Sequence, residues 1–486
     1  MSDRFAALAA DIAGEVFRPG DAGHQLARKM FIGRQDEVVP DAVVACAGED
    51  DVRTTLAFVR QHGIRFAVRG GGHSFAEHST SDGVVVDLGG LDTAEVLADR
   101  VIVGAGVRVG ALADRLARHG LVVPIGWCRS VGVTGAVLGG GYGVLSRYYG
   151  LGADHLLAAR VLLSDGRTVR AAADEHPDLF WALRGAGGGS FGVVLSVELR
   201  TRPAVPLVTL RATWPHELST TVVETWQRHA PTAPREVNVE LALYAGDFPD
   251  EPAAVALFGV VVADDPTAAH AVLDRFPCTA EQHVTTLPAN LAATFCDYPG
   301  DAAEHTLPRL SPGERAALRL SHAGFLAHPL PRPTLDALTA HLVQDRAYGV
   351  YRDLELIPWG GAIATPHGGA IAHRDKAFLV KHTVQTGTRA TARIRAAATA
   401  WVGASYAITH PAGAGTGYPN YPDLAHAGDP AHYYGEHLPR LRDVKAAYDP
   451  TGMFRCGVGW EPAQTIGPGQ PEPPTPPSPG RELPGQ

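Results

Sequence analysis

Three glycine-rich segments hold the residues with the clearest chemical promise. In VRGGGHSFAEHST, residues 68–80, a strand-like run ends in Gly70, Gly71 and Gly72, followed by His73 and Ser74. Three bare backbone N–H groups in a row can close on a diphosphate without side-chain obstruction. The spacing is not that of a dinucleotide fingerprint and no helix starts directly behind it, so His73 alone also reads as an ordinary turn histidine. Residues 126–156, GWCRSVGVTGAVLGGGYGVLSRYYGLGADHL, carry nine glycines around Cys128. Such a segment suits a loop and helix start pressed against a flat ligand, with a plain buried thiol as the other reading of Cys128. LFWALRGAGGGSFGVVLSVELR, residues 179–200, is a third glycine turn, leading into a strand. Apolar, patterned flanks exclude flexible linkers in the last two. Together the three segments are what a long, flat, diphosphate-bearing cofactor requires.

The elements that must position them follow from periodicity. Between Asp41 and Gly120 the text alternates strands (DAVVAC, IRFAVRG, GVVVDL, RVIVGAGV) with two helices, which stop at Gly63 and Gly120. This is a mixed α/β unit. After Pro203, TLRATW, VNVELALY and AVALFGVVV alternate like an antiparallel sheet, with ELSTTVVETWQRH as a helix between them. The expected division is 1–205, 206–415, a return segment 416–464, and a Pro-rich disordered tail 465–486. The N-terminal MSDRFAALAADIAGEVF reads as an amphipathic helix rather than a signal peptide.

Bulk properties narrow the function classes. A chain of 486 residues with 45% apolar and 19% charged residues supports two or three compact units. A net charge of −9 argues against nucleic acid as a partner. No stretch nears the ~18 apolar residues of a membrane span. Five scattered cysteines without metal-ligand spacing point to a reduced, cytoplasmic protein with no metal centre.

Taken in order, RGGGHS (69–74), CRSVGVTGAVLGGGYGVLSRYYGLGAD (128–154), LFWALRGAGGGSFGVV (179–194), PWGG (358–361), the His-Arg pair at 373–374, YPNYPD (418–423) and YYGEHLPRLRDVKAAYDP (433–450) resemble the berberine-bridge-enzyme-like branch of the vanillyl-alcohol-oxidase superfamily. The resemblance spans about Gly20 to Phe454. It implies an α+β fold: a PCMH-type FAD-binding domain of two α/β subdomains, plus a substrate domain with a large antiparallel sheet flanked by helices. It further implies covalent FAD, joined to His73 at the flavin 8α-methyl and to Cys128 at C6, with Arg129 favouring the Cys128 thiolate. Arg69, Gly70, Gly71, Gly72 and Ser74 are then expected at the diphosphate. Gly132, Gly135, Gly140, Val194 and Asn420 back the cofactor. Val131 stands where a small side chain admits dioxygen. Tyr421 matches the general base and Tyr142 a second tyrosine able to share its proton; aromatic packing is the plainer reading of both.

Two positions depart from the family pattern. Ala136 replaces a frequent histidine, and Ile357 replaces a polar residue that helps the catalytic tyrosine, leaving open what stabilises a Tyr421 phenolate. The segment 455–462 also departs, without an evident role. Alternation in DLELIPWGG puts Glu355 and Ile357 on one face, and KAFLVKHTVQ puts Val380 and His382 together. These four are the expected substrate lining. The resulting expectation is an oxidase that takes a hydride from a CH–OH group of a bulky glycoside, sugar or secondary metabolite, with dioxygen as acceptor, as a monomer or homodimer. Oxidative ring closure, with Glu355 or His382 as base, is one alternative; a flavin-loaded binding protein without turnover is another.

Overall fold

The computed structural model describes residues 4–33, 37–76, 78–126, 128–279, 281–287, 318–387, 389–413 and 415–455. The expected tail, and all but the first residue of the departing segment 455–462, lie outside them. None of the helices among the described residues is long and apolar enough to cross a membrane.

The first sheet has the order β1-β2-β4-β3, from strands β1 (Glu15–Phe17), β2 (Ala42–Ala45), β3 (Phe66–Arg69) and β4 (Val84–Asp87). The N-terminal helix covers only Arg4–Asp11, because its expected continuation pairs as β1 against β2. The helix Glu49–His62 crosses between β2 and β3. Val52, Leu56 and Val59 form its buried stripe and Gly63, at φ 60°, ends it in the left-handed region.

The second sheet contains β5 (Ala94–Val96), β6 (Arg100–Gly104), β8 (Leu156–Leu162), β9 (Thr168–Ala172) and β10 (Val193–Arg200), in the order β5-β6-β10-β8-β9. A short antiparallel pair, β7 (Leu121–Val122) with β11 (Arg202–Pro203), forms a separate two-stranded sheet. Leu162, Val193 and Leu195 belong to the core of the first sheet, which joins the two subdomains.

The third sheet is antiparallel throughout, β15-β12-β14-β13-β17-β18-β16. Its strands are β12 (Leu207–Pro215), β13 (Val237–Ala245), β14 (Ala254–Val262), β15 (Gln282–Leu287), β16 (Leu318–Leu326), β17 (Val350–Pro358) and β18 (Phe378–Thr386). Helices Ser219–His229, Arg332–Val343 and Ala392–Thr409 cover one face around Leu354, Leu356, Val380 and Val384. The other face, carrying Ile357, Leu379 and Phe325, packs with Tyr142 and Tyr418.

The chain then returns to the first two sheets. Helix Leu438–Tyr448 places Leu438, Leu441 and Val444 in the core of the second sheet with Leu179 and Leu183. Lys445 is 1% exposed. It donates to Asp449 at 2.7 Å, to the Ser190 carbonyl at 2.6 Å and to the Phe454 carbonyl. Lys445→Met leaves the Asp449 carboxylate buried without its cation, so stability measured by urea unfolding is expected to fall by about 3–5 kcal/mol. Adding Asp449→Leu should recover much of that loss.

Candidate active site

The glycines of the first two segments exist because two loops touch backbone to backbone. A Cβ on Gly71 would stand 2.3 Å from the Gly132 nitrogen, and one on Gly132 would stand 2.6 Å from the Gly71 nitrogen. Gly72 has φ +67°. Arg108, which the sequence reading passed over, clamps the contact: its Nη1 donates to the Ser130 carbonyl at 2.7 Å and to the Gly71 carbonyl.

That clamp sets His73 beside the Cys128 loop. His73 Nε2 is 2.8 Å from Ser130 Oγ, and Phe31 stacks on the imidazole at 3.9 Å with an 18° tilt. Burial, then the positive charges of Arg108 and Arg319, push the His73 pKa down to about 3. Its ring is therefore neutral and nucleophilic at ordinary pH. Cys128 is half-buried, in a turn closed by the Val131 N–H on its carbonyl at 3.2 Å. The guanidinium of the neighbouring Arg129 is ion-paired to Asp114 at 2.5 Å. Cys46, by contrast, is a buried filler whose thiol is pushed up to about 12 by desolvation.

Helix Val133–Leu138 follows Gly132. Gly135 on this helix, and Gly189 in the third glycine segment, have nothing within 4 Å of where a Cβ would stand. The Thr134 hydroxyl beside Gly135 is buried without a hydrogen-bonding partner among the described residues. A cradle of bare backbone with an unsatisfied hydroxyl in its wall fits a flat cofactor carrying a diphosphate. Val131 packs at the edge of the second-sheet core, and Val194 lies inside it.

Several residues expected at the cofactor have protein partners. The Arg69 side chain is 5% exposed and holds β3 to β4 through Asp87, so its guanidinium is structural, a correction to the sequence reading. Ser74 Oγ donates to the Ala76 carbonyl at 2.6 Å, shaping its own turn. Asn420 Nδ2 donates to the Ala136 carbonyl at 2.8 Å, and a Cβ on Gly140 would meet the Tyr418 hydroxyl at 2.7 Å. Both positions thus seat the returning segment 417–423 on the glycine helix.

The third sheet supplies the opposite wall. Antiparallel pairing sets Glu355 against Lys381, Leu354 against His382 and Leu356 against Val380, and cross-strand partners share a face. Glu355 and Ile357 accordingly face the tyrosines. Val380 and His382 do not, which corrects their assignment to the substrate lining and removes His382 as a base. His382 is fully buried on the helix side, hydrogen-bonded to Ser405 at 2.8 Å and Thr409 at 2.9 Å, and its pKa is pushed down to about 3 by burial. The residue brought to the site in its place is Lys381. It is paired with Glu355 and stands 5.1 Å from the Tyr421 ring centroid. Strand alternation could have found it, because Lys381 has the opposite parity to Val380 and His382.

Tyr421 is wedged edge-on between Tyr418 at 5.4 Å and Phe75 at 5.7 Å. Burial, then Glu355, Glu240, Tyr418 and Cys128, raise its pKa well above the usual phenol value, so Cys128 stands within electrostatic range of Tyr421. Tyr142 stacks on Trp359 at 5.6 Å, and its hydroxyl lies 3.0 Å from the Asn238 amide oxygen and 2.9 Å from Glu240. Tyr142 donates to this unforeseen carboxyl, and burial, then the charge of Glu355, pushes Glu240 up to about 8, so it holds a proton at pH 7. The remaining family motifs brace these walls. Arg374 of the His-Arg pair is ion-paired to Asp154, and Arg147 donates to the carbonyls of Val237 at 2.8 Å and Ala233 at 2.7 Å.

Gly71→Ala or Gly132→Ala would force the two loops apart. Each variant is expected to fold but to lose most bound flavin, read as the ratio of absorbance near 450 nm to that at 280 nm in the purified protein.

Comparison with known proteins agrees with this geometry. A model of an FAD binding domain matches residues 40–172, and one described as "Berberine and berberine like" matches residues 417–457. The "Uncharacterized FAD-linked oxidoreductase YgaK" of Bacillus subtilis (strain 168) is 28% identical over 468 residues, covering 91% of this chain and 96% of that one. Among solved structures, wild-type BBE-like 1 of Physcomitrella patens superposes with a TM-score of 0.82 at 24% identity, over 95% of this chain and all of its own. A chitooligosaccharide oxidase superposes at 0.79 with 22% identity and the same coverages. Both family matches fall on the segments that build the site, and the chain is an FAD-linked oxidoreductase with an FAD-binding domain and a berberine-like carboxyl-terminal segment.

Proposed function

We propose that the protein is an oxidase that removes a hydride from a CH–OH group of a hydroxylated small molecule, with Tyr421 as general base and dioxygen as the acceptor. The observation that carries this reading is Lys381 over the Tyr421 ring. A phenol raised above its ordinary pKa by burial and carboxyl neighbours is a poor base unless a cation favours its ionised form. Lys381 is that cation, and its pairing with Glu355 fixes it in place. It takes the part left open by Ile357.

FAD, when bound, supplies the two-electron acceptor and passes the electrons to dioxygen as peroxide. Gly71, Gly132, Gly135 and Gly189 are the backbone against which it would lie. His73, neutral and stacked by Phe31, and Cys128 on the clamped loop are proposed as its two covalent attachment points. Val131 stands beside them as the small side chain that leaves dioxygen a path. On the other wall, Tyr421 takes the hydroxyl proton of the substrate while Tyr142 and Glu240 hold a second proton nearby.

Three measurements test this. Tyr421→Phe should reduce turnover roughly 10²-fold or more while leaving flavin bound; unchanged turnover removes Tyr421 as the base. A base must be deprotonated to act, so kcat/KM should rise with pH toward the raised Tyr421 pKa. Lys381→Met, by deleting the cation, should move that limb to higher pH and lower the rate at neutrality. Finally, acid-precipitated protein should keep its yellow colour, released only when His73 and Cys128 are both replaced. Colour in the supernatant of the unaltered protein would reject the covalent assignment.

A further inference from the structure

The cysteines carry no ligand spacing, but three other donors recur at every third position of the returning segment: His426, Asp429 and His432. The backbone folds them together. The Asp429 N–H donates to the His426 carbonyl at 3.1 Å, and the His432 N–H to the Asp429 carbonyl at 3.2 Å. Gly428, at φ +86°, turns the chain between them. One ligand atom from each side chain then lies within 4.8 Å of the other two, and no other trio of histidine, cysteine or carboxylate side chains among the described residues does so.

The local bonding leaves these donors without other employment. His432 is 4% exposed, and its Nδ1 lies 3.1 Å from the Gly415 carbonyl, so Nδ1 carries the proton and Nε2 the lone pair. That Nε2 is buried with no hydrogen-bonding partner among the described residues. A carbonyl on one ring nitrogen and an open lone pair on the other is the arrangement that orients a metal-ligating histidine. Gly417 keeps the space beside it, since a Cβ there would stand 2.5 Å from Nε2. Asp429 is exposed and precedes the short helix Pro430–Tyr434, yet its carboxylate makes no capping hydrogen bond. The half-buried His426 ring lies face to face on His432, with centroids 3.8 Å apart and planes tilted by 7°. Any flat side chain could pack that way, and packing alone does not account for an orphaned ring nitrogen.

We infer that His426, Asp429 and His432 form a binding site for a divalent transition-metal ion of the zinc class, with water as the fourth ligand. Two imidazoles and a carboxylate suit Zn²⁺ or Co²⁺ better than Mg²⁺ or Ca²⁺, which prefer oxygen alone. Tetrahedral donors about 2.1 Å from one ion stand roughly 3.4 Å apart, so the group has to close by no more than about 1.4 Å. Gly415 holds His432 in place, and the movement falls to His426 and Asp429, whose side chains turn edge-on toward the ion. This departs from the expectation of no metal centre, which rested on the cysteines.

Position gives the ion its task. The Gly417 N–H donates to the His432 carbonyl at 2.8 Å, and the His426 N–H to the Asp423 carbonyl at 3.1 Å. Tyr418, Asn420 and Tyr421 lie between these two ties. An ion joining His426 and Asp429 to His432 closes the stretch into one loop, acting on the tyrosines only through the backbone that carries them.

The test uses the flavin-loaded full chain, dialysed against a chelator and then titrated with zinc chloride. A parallel titration with cobalt(II) chloride reports tetrahedral coordination through visible bands beyond the flavin envelope. One ion should bind per chain, Zn²⁺ should raise the thermal midpoint, and amide exchange in residues 415–432 should slow. Magnesium chloride should do none of these. His426→Ala and Asp429→Ala should each weaken Co²⁺ binding roughly 10-fold or more and remove the midpoint shift, with the flavin spectrum unchanged. His432→Ala should abolish the site; should it fail to fold, the other two variants still decide the matter. Absence of stoichiometric binding to the unaltered protein overturns the proposal. Binding of equal affinity in His426→Ala and Asp429→Ala also overturns it, by placing the ion at other side chains. Binding at these residues without slower exchange in 415–432 overturns the role in holding the loop.

Discussion

Everything in the site depends on two loops meeting at glycine. Gly71 and Gly132 come close enough that no side chain fits at either position, so the segments bearing His73 and Cys128 are set by backbone contact rather than by side-chain choice. Arg108 secures the contact by binding a carbonyl from each loop. A flat cofactor lying against both loops needs its neighbours held to a fraction of an ångström, and rigid backbone apposition provides that more surely than flexible side chains.

The opposite wall is governed by charge balance in a dry place. Glu240, Glu355, Asp353 and Tyr421 all stand near Lys381. One cation cannot neutralise four acids at once, so the group settles into a state in which Glu355 is ion-paired while Glu240, and in part Asp353, keep their protons. This leaves the Tyr421 phenol as the group whose ionisation is most sensitive to what else enters. A ligand that supplies donors or acceptors there changes that balance.

Much of this architecture was legible before any coordinates. Helical and alternating patterns marked the helix ending at Gly63 and the strands β4, β13 and β14. The glycine segments and Tyr421 were legible as motifs. What failed were statements needing a partner strand. Alternation divides β18 into two sets of side chains but does not say which set faces the tyrosines; the pairing of Glu355 with Lys381 decides it, and Val380 and His382 fall on the other side. Arg69 failed similarly, since its pairing with Asp87 comes from the neighbouring strand. Arg108 and Glu240 carry no local signature, being an arginine before a helix and a glutamate in a strand, whose importance comes only from loops remote in sequence.

The return of residues 417–455 to the flavin-side sheets has a consequence for synthesis. The Tyr142 N–H donates to the Tyr418 hydroxyl at 3.0 Å across 276 positions, and Tyr421 lies three residues further on. During translation the glycine loops and the carboxylate-bearing sheet leave the ribosome before Tyr418 and Tyr421. A nascent chain therefore carries the glycine cradle and the acidic wall before Tyr418 ties them together.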